Sequence, residues 1–223
     1  VSHLVQSTRA GANFGFGLLW AVILANLFKY PFFEYGSRYA NVTGQSIIDG
    51  YKKIGNWMIW LYFLITLVSM FFVCSAVGFV TAGFLDNLFG LANHINILTT
   101  TAILFSICIV ILFFGKYYLL DGLIKILGSV LLVTTIVAFI LTLVNGPVEK
   151  AVGFIPPEIW DGAGIGFLIA LMGWMPTAVD LSAWNSLWTI ERIKQTGYKP
   201  TLKETLFDFN LGYIVSSVLA ICF

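Results

Sequence analysis

The chain has 223 residues, 59% of them hydrophobic and only 10% charged, with a formal net charge of +1. A soluble domain carries about 25% charged residues, so this composition excludes a soluble enzyme and describes an integral membrane protein. The near-zero net charge offers no field for nucleic acid. Cys74, Cys108 and Cys222 each sit in an apolar run, form neither a disulfide framework nor a zinc pattern, and read as buried thiols.

Residues 1–10 are polar, with Ser2, His3, Gln6, Ser7, Thr8 and Arg9, and Gly11-Ala12-Asn13-Phe14-Gly15 follows as a predicted turn. Six apolar runs come next, at 17–33, 57–84, 97–114, 123–144, 164–188 and 211–223. Each is consistent with a membrane-spanning helix, which needs about 20 residues; the first is near the short limit and the last is cut off at Phe223. The chain starts at Val1 with no signal-peptide pattern and stops inside an apolar run, so it reads as an internal piece of a longer transporter-like chain. Of the connections, 35–56 is the longest early one. Its Thr43-Gly44-Gln45-Ser46 predicts the start of an amphipathic helix carrying Ile47, Ile48, Tyr51 and Ile54. Glu34 and Arg38, four apart, are placed to pair on a helix surface. Pro147 and Pro156-Pro157 mark the loop 145–162, where an external side is expected, as it is for His94.

Orientation follows from the basic residues. Arg38, Lys52, Lys53, Lys116, Lys125, Arg192, Lys194, Lys199 and Lys203 fall in connections on one side of the membrane, and only Arg9 and Lys150 on the other. The positive-inside rule puts the first group in the cytoplasm. Lys29 lies inside a span and is expected to snorkel toward the cytoplasm.

The run 164–188 holds the most informative stretch, Leu171-Met172-Gly173-Trp174-Met175-Pro176-Thr177-Ala178-Val179-Asp180. Gly173 loosens the backbone. Pro176 has no N–H, so the carbonyl of Met172 loses its helical partner. In lipid an orphan carbonyl costs several kcal/mol unless a cation, a hydroxyl or a water satisfies it. Gly173 and Pro176 therefore predict a helix break, with the Met175 thioether and the Asp180 carboxylate nearby, as at an ion site near the midplane. Each residue also has a plainer role. Met175 can fill a gap in an apolar core, Met172 is foremost a packing side chain with a usable carbonyl, and Asp180 can pair with a neighbouring helix. The polar segment before the first full span and this break before the last run occupy corresponding places, the pattern of an inverted-repeat transporter.

From Gly11 onward the chain resembles the NRAMP family of divalent metal transporters. The resemblance lies in Gly11-Ala12-Asn13-Phe14-Gly15-Phe16-Gly17-Leu18-Leu19-Trp20, in Arg38 and Thr43-Gly44, in Lys116-Tyr117-Tyr118-Leu119-Leu120-Asp121, and in Met175-Pro176, the first two residues of the family's Met-Pro-His motif. It implies an all-α integral membrane protein, a fragment of an inverted-repeat fold with discontinuous helices of the leucine-transporter type. Residues 1–223 would be one partial transporter domain, from the outer half of helix one to the start of helix seven. It further implies a metal-ligand role for Met175 and a backbone-carbonyl role for the position of Met172. The family's first-helix motif Asp-Pro-Gly-Asn would place its Pro, Gly and Asn at Val1, Ser2 and His3 and its Asp before Val1, so Ser2 and His3 stand as further metal candidates. An imidazole is a usable transition-metal ligand, although His3 could equally cap a half-helix. The motif's histidine is replaced by Thr177, so its proton role has no match, and Asp180 and Thr177 are left as candidates either for coupling or for supporting the metal ligands. These departures mark a divergent branch.

The functional expectation is a secondary transporter moving manganese- or iron-like divalent ions by alternating access. The metal is substrate rather than cofactor, the lipid bilayer is the partner, protons are the candidate coupling ion, and no nucleic acid or cofactor is involved. The alternative is an amino-acid or other organic-solute symporter of the same architecture, which would not need sulfur at the break. No metal-hydrolase spacing, nucleophile motif or phosphate loop points to an enzyme.

Overall fold

The fold is that of a computed structural model describing residues 2–90, 95–146 and 157–223; Val1, His94, most of the 145–162 loop and the side chains of Ser2 and residues 116–118 lie outside the described residues. All regular structure among the described residues is helical. The helices are α1 Ser2–Phe14, α2 Leu19–Thr43, α3 Ile47–Ile54, α4 Asn56–Phe89, α5 Ile97–Asn145, α6 Gly162–Trp174, α7 Ser182–Thr196 and α8 Leu202–Cys222, with 3₁₀ turns at Gly15–Leu18 and Val179–Leu181. Among these residues, six stretches are long and apolar enough to cross a membrane: His3–Thr43, Asn56–Phe89, Ile97–Gly115, Leu119–Asn145, Gly162–Thr196 and Leu202–Cys222. They coincide with the six expected runs, and the all-α membrane architecture follows.

The boundaries differ from the expected ones in instructive ways. The predicted turn at 11–15 narrows to its last residue: α1 runs through Phe14, and the chain turns at Gly15, whose φ of 57° suits glycine. Residues 35–43, expected in a connection, continue α2 past Pro31. Their polar side chains lie along the helix, where Arg38 pairs with Glu34 at 2.6 Å. The connection 115–125 is also helical and joins two runs into the 49-residue α5. It contains no proline, and Asp121 and Lys125 pair at 2.6 Å one turn apart. The last run, expected from 211, belongs to a longer helix: α8 starts at Leu202, where Thr201 and Glu204 form a capping box, and extends over 21 residues. The thiols of Cys74 and Cys108 are exposed and that of Cys222 half-buried, rather than buried as expected. An apolar run in lipid need not turn its cysteines inward.

The chain divides into two compact units, Val1–Asn56 with Val130–Phe223, and Trp57–Ser129. The first is built on α2. Its buried residues are Ala21, Val22, Ala25, Asn26, Phe33, Gly36, Ser37, Ala40 and Asn41, a single stripe at helical spacing. This stripe packs on α7, α8 and α6. Small residues let the backbones approach, as membrane helices require. A Cβ on Gly36 would stand 2.7 Å from the Ser182 carbonyl oxygen of α7. Polar side chains join the helices: the Asn41 amide donates to the Pro200 carbonyl at 2.9 Å and to Thr205 Oγ1 at 2.8 Å, and the Asn185 amide to the Phe33 carbonyl at 3.2 Å. α3 begins as the sequence predicts. Ser46 and Asp49 form a capping box, and the Ile47 N–H donates to the buried Ser186 Oγ of α7 at 3.1 Å.

The second unit contains α4 and the first part of α5. α4 is apolar on every side and buries only Gly78 and Ala82 along its 34 residues. Gly78 sits under the ring of Phe105 and the methyl of Thr101.

Candidate cation site at the break of α6

The predicted break is present. α6 ends at Trp174, residues 175–178 are extended or turning, and the helical path resumes through Val179–Leu181 into α7. At the end of α6 the Met175 N–H still donates to the Leu171 carbonyl at 3.0 Å. The next carbonyl, that of Met172, would need the N–H of residue 176, which proline lacks. It is satisfied from another helix. The ammonium of Lys29, from α2, lies 2.9 Å from the Met172 oxygen, 2.7 Å from the Gly173 oxygen and 3.0 Å from the Thr177 oxygen. Three donors thus meet three carbonyls, which is the full donor count of a lysine ammonium. Two of these carbonyls are the free end of α6, where the helix dipole favours positive charge.

This corrects the expectation for Lys29. Instead of snorkelling to the cytoplasm, its side chain turns into the break. The reason is its register: Lys29 stands four residues after Ala25 and four before Phe33, both buried on the stripe that α2 presents to its neighbours.

The other predicted residues are distributed around this point. Met175 is fully buried, in one apolar cluster with Ala10, Leu18, Ala21, Val22, Ala25, Leu171 and Ala220. Met172 is half-buried and packs against the edge of that cluster while its carbonyl faces Lys29. Gly173 and Thr177 contribute carbonyls to the same ammonium. Asp180 lies in the 3₁₀ turn that leads into α7, half-buried. His3, at the start of α1, has Nε2 3.3 Å from Ser216 Oγ, so its contact runs to α8 and not to the break. The Ser2 side chain lies outside the described residues. Among the described residues, no three His, Cys, Asp or Glu side chains converge as a metal cluster would need. The break therefore offers a cation mainly backbone oxygen, while the Met175 side chain is buried in the apolar cluster.

Sequence reasoning missed Lys29, and it also missed a polar seam on α8. Ser217 Oγ donates to Asn26 Oδ1 at 2.9 Å, the Tyr213 hydroxyl to the Asn26 carbonyl at 2.6 Å, and the Tyr30 hydroxyl to Asn210 Oδ1 at 2.6 Å. The signal was present, since Asn210, Tyr213 and Ser216-Ser217 recur every three to four residues along a helix that is otherwise apolar from Leu211 on.

The profile of the Nramp family, natural resistance-associated macrophage protein-like, matches residues 2–223. An uncharacterized protein of Pasteurella multocida is 37% identical over 224 residues, an alignment that covers all of this chain and 51% of that relative. The chain thus spans about half the length of the curated relative it matches. No solved structure matches it. With an α6 interrupted at Met175-Pro176, six apolar helical stretches among the described residues and a family match over essentially its whole length, the chain belongs to the Nramp family of multi-pass membrane transporters.

Proposed function

We propose that the protein is a secondary transporter of divalent transition-metal ions that works by alternating access, with the break of α6 as part of the ion path. One observation carries this reading: the carbonyls of Met172, Gly173 and Thr177 converge on a single positive charge. A cluster of backbone oxygens at a helix break is how transporters of this architecture hold cations. The Met172 carbonyl and the Met175 sulfur are the proposed ligands of the break, with Ser2 and His3 as candidates from the first helix. Thioether sulfur suits Mn²⁺, Fe²⁺ or Co²⁺ better than Mg²⁺ or Ca²⁺, which prefer oxygen. Protons are the proposed coupling ion. Asp180 is their candidate carrier as the carboxylate nearest the break in sequence, half-buried in the turn into α7; Thr177, whose carbonyl accepts from Lys29, has no ionisable group.

The test of alternating access is counterflow with the protein at its natural length in proteoliposomes. With the membrane potential clamped at zero, internal unlabelled Mn²⁺ should accelerate entry of labelled Mn²⁺, because each exit of an internal ion returns the site to the outside. A channel would show no acceleration. Asp180→Asn should insert normally and shift the pH dependence of uptake, and an unchanged pH profile would remove Asp180 from the mechanism.

A further inference from the structure

The three-carbonyl site at the break already contains a cation, and that cation belongs to the chain. We propose that Lys29 is a tethered occupant of the cation site, and that a transported ion binds there only by displacing it. The identity of the displaced ion rests on the metal-transport reading; the occupancy by Lys29 does not.

The argument starts from geometry. The Lys29 nitrogen lies within 3.0 Å of all three oxygens, and one of them, Met172 O, is the carbonyl that Pro176 frees. A metal ion using the same oxygen would bind it at about 2.0–2.6 Å, on the side where the ammonium now stands. The two positive charges would then face each other at ion-pair distance in a low-dielectric setting, where repulsion is strongest. Simultaneous occupancy is therefore excluded, and binding becomes competition. The competition has structural consequences. With no ion present, Lys29 keeps the carbonyls satisfied, so the empty break is stable in lipid. When an ion enters, Lys29 must withdraw along α2, leaving its place at the end of α6. Lys29 is thus a specificity-determining residue. It raises the affinity an ion needs in order to enter, and it disfavours weakly bound monovalent ions most, because they gain least from the carbonyls.

The test compares wild type with Lys29→Met, of similar length and uncharged, Lys29→Gln, which keeps a donor, and Lys29→Arg, which keeps the charge. The readout is the thermal unfolding midpoint of the purified natural-length protein, titrated separately with Mn²⁺, Na⁺ and K⁺. Without added ions Lys29→Met should melt below wild type, since its break carbonyls lose their donors. Added cation should then restore it, at a half-saturating concentration roughly tenfold or more below that of wild type. Lys29→Gln should fall between, and it carries the test if Lys29→Met does not purify folded. Lys29→Arg should stay as insensitive as wild type. If Mn²⁺ stabilises wild type and the uncharged variants at the same concentration, or stabilises the variants only at a higher one, the proposal is overturned. It is equally overturned if none of the three ions stabilises the uncharged variants. If Na⁺ or K⁺ but not Mn²⁺ restores Lys29→Met, the tethered cation stands and the metal reading falls.

Discussion

α2 and α4 are both long apolar helices, yet they are built on different rules. α2 carries nine buried residues, three of them polar (Asn26, Ser37 and Asn41), in one stripe along 25 positions. α4 has 34 residues, is apolar all round, and buries two small ones. In water the more hydrophobic helix would be the more buried. In lipid the tails are as apolar as leucine, and packing is driven by close approach and by polar contacts between helices. The helix that buries more of its residues is therefore the one that looks less hydrophobic. That inversion bears on Lys29 as well. Lys29 is tolerated on α2 because it reaches the three carbonyls that the break of α6 leaves free.

The contrast can be broken most directly at its glycines. Gly36→Ala puts a methyl 2.7 Å from the Ser182 carbonyl, a backbone atom that cannot turn away. About 1–3 kcal/mol of destabilisation is expected from such overpacking. Gly78→Ala on α4 meets the Phe105 ring at 2.9 Å and the Thr101 methyl at 3.0 Å, both side-chain atoms. The ring can shift, and alanine recovers up to about 1 kcal/mol of helix propensity, so a near-neutral change is expected. Thermal or denaturant unfolding in detergent checks both, and equal losses at the two sites would remove the distinction.

A smaller effect is expected at the cap of α3, which docks on α7. Ser46→Ala should cost about 1 kcal/mol by removing the side-chain cap. Asp49 accepts from the Ser46 hydroxyl and N–H, and these hydrogen bonds hold its carboxyl below its ordinary value of 3.8. Its folded pKa is depressed, so the reciprocal half of the box contributes above the ordinary carboxylate pKa and is lost as pH falls through the lowered value. Ser46→Ala keeps the N–H donor but loses the hydroxyl that donates to the Asp49 carboxylate, so the wild-type advantage over Ser46→Ala should shrink in strong acid. A difference that is flat with pH would mean that the hydroxyl–carboxylate bond between Ser46 and Asp49 contributes nothing.

The smallest effect is expected along the α2–α8 seam. Tyr213→Phe removes the hydroxyl that donates to the Asn26 carbonyl at 2.6 Å. Hydrogen bonds between membrane helices average about 0.6 kcal/mol, and a loss of that order is expected in the same unfolding assay. No loss would show that this hydrogen bond contributes nothing to the seam.

What was legible in the sequence follows the same logic. Run lengths read as spans because the bilayer imposes a length, and the break of α6 read directly from Pro176, because a missing N–H is a local fact. The cap at Ser46 and the pair Glu34–Arg38 were local too. The ends of α2 and α8 were misplaced because hydropathy ends before the helix does: charged residues at a helix end cost nothing once they reach the interface. Lys29 was misassigned for a different reason. Its partners are 143 to 148 residues away in sequence, and a rule based on one helix sends a lysine to the nearest water. Only the combination of an orphaned carbonyl and the α2 stripe points it inward. Met175 was legible as part of the break but not as part of an apolar cluster, since the Ala10, Leu18 and Ala220 that share the cluster come from α1, the following turn and α8.

The central claim, that the break of α6 handles a divalent metal ion, is tested most directly by uptake of Mn²⁺, Ca²⁺ and an amino-acid mixture into proteoliposomes. The assay compares the natural-length protein with its Met175→Ala variant. Wild type should take up Mn²⁺ in a saturable manner. Met175→Ala should lower Mn²⁺ uptake while leaving any Ca²⁺ uptake equal or relatively better, because the sulfur serves the softer ion and the Met172 carbonyl serves both. An equal fall for both ions would reduce Met175 to packing. A wild type that moves an amino acid and neither ion would contradict the account.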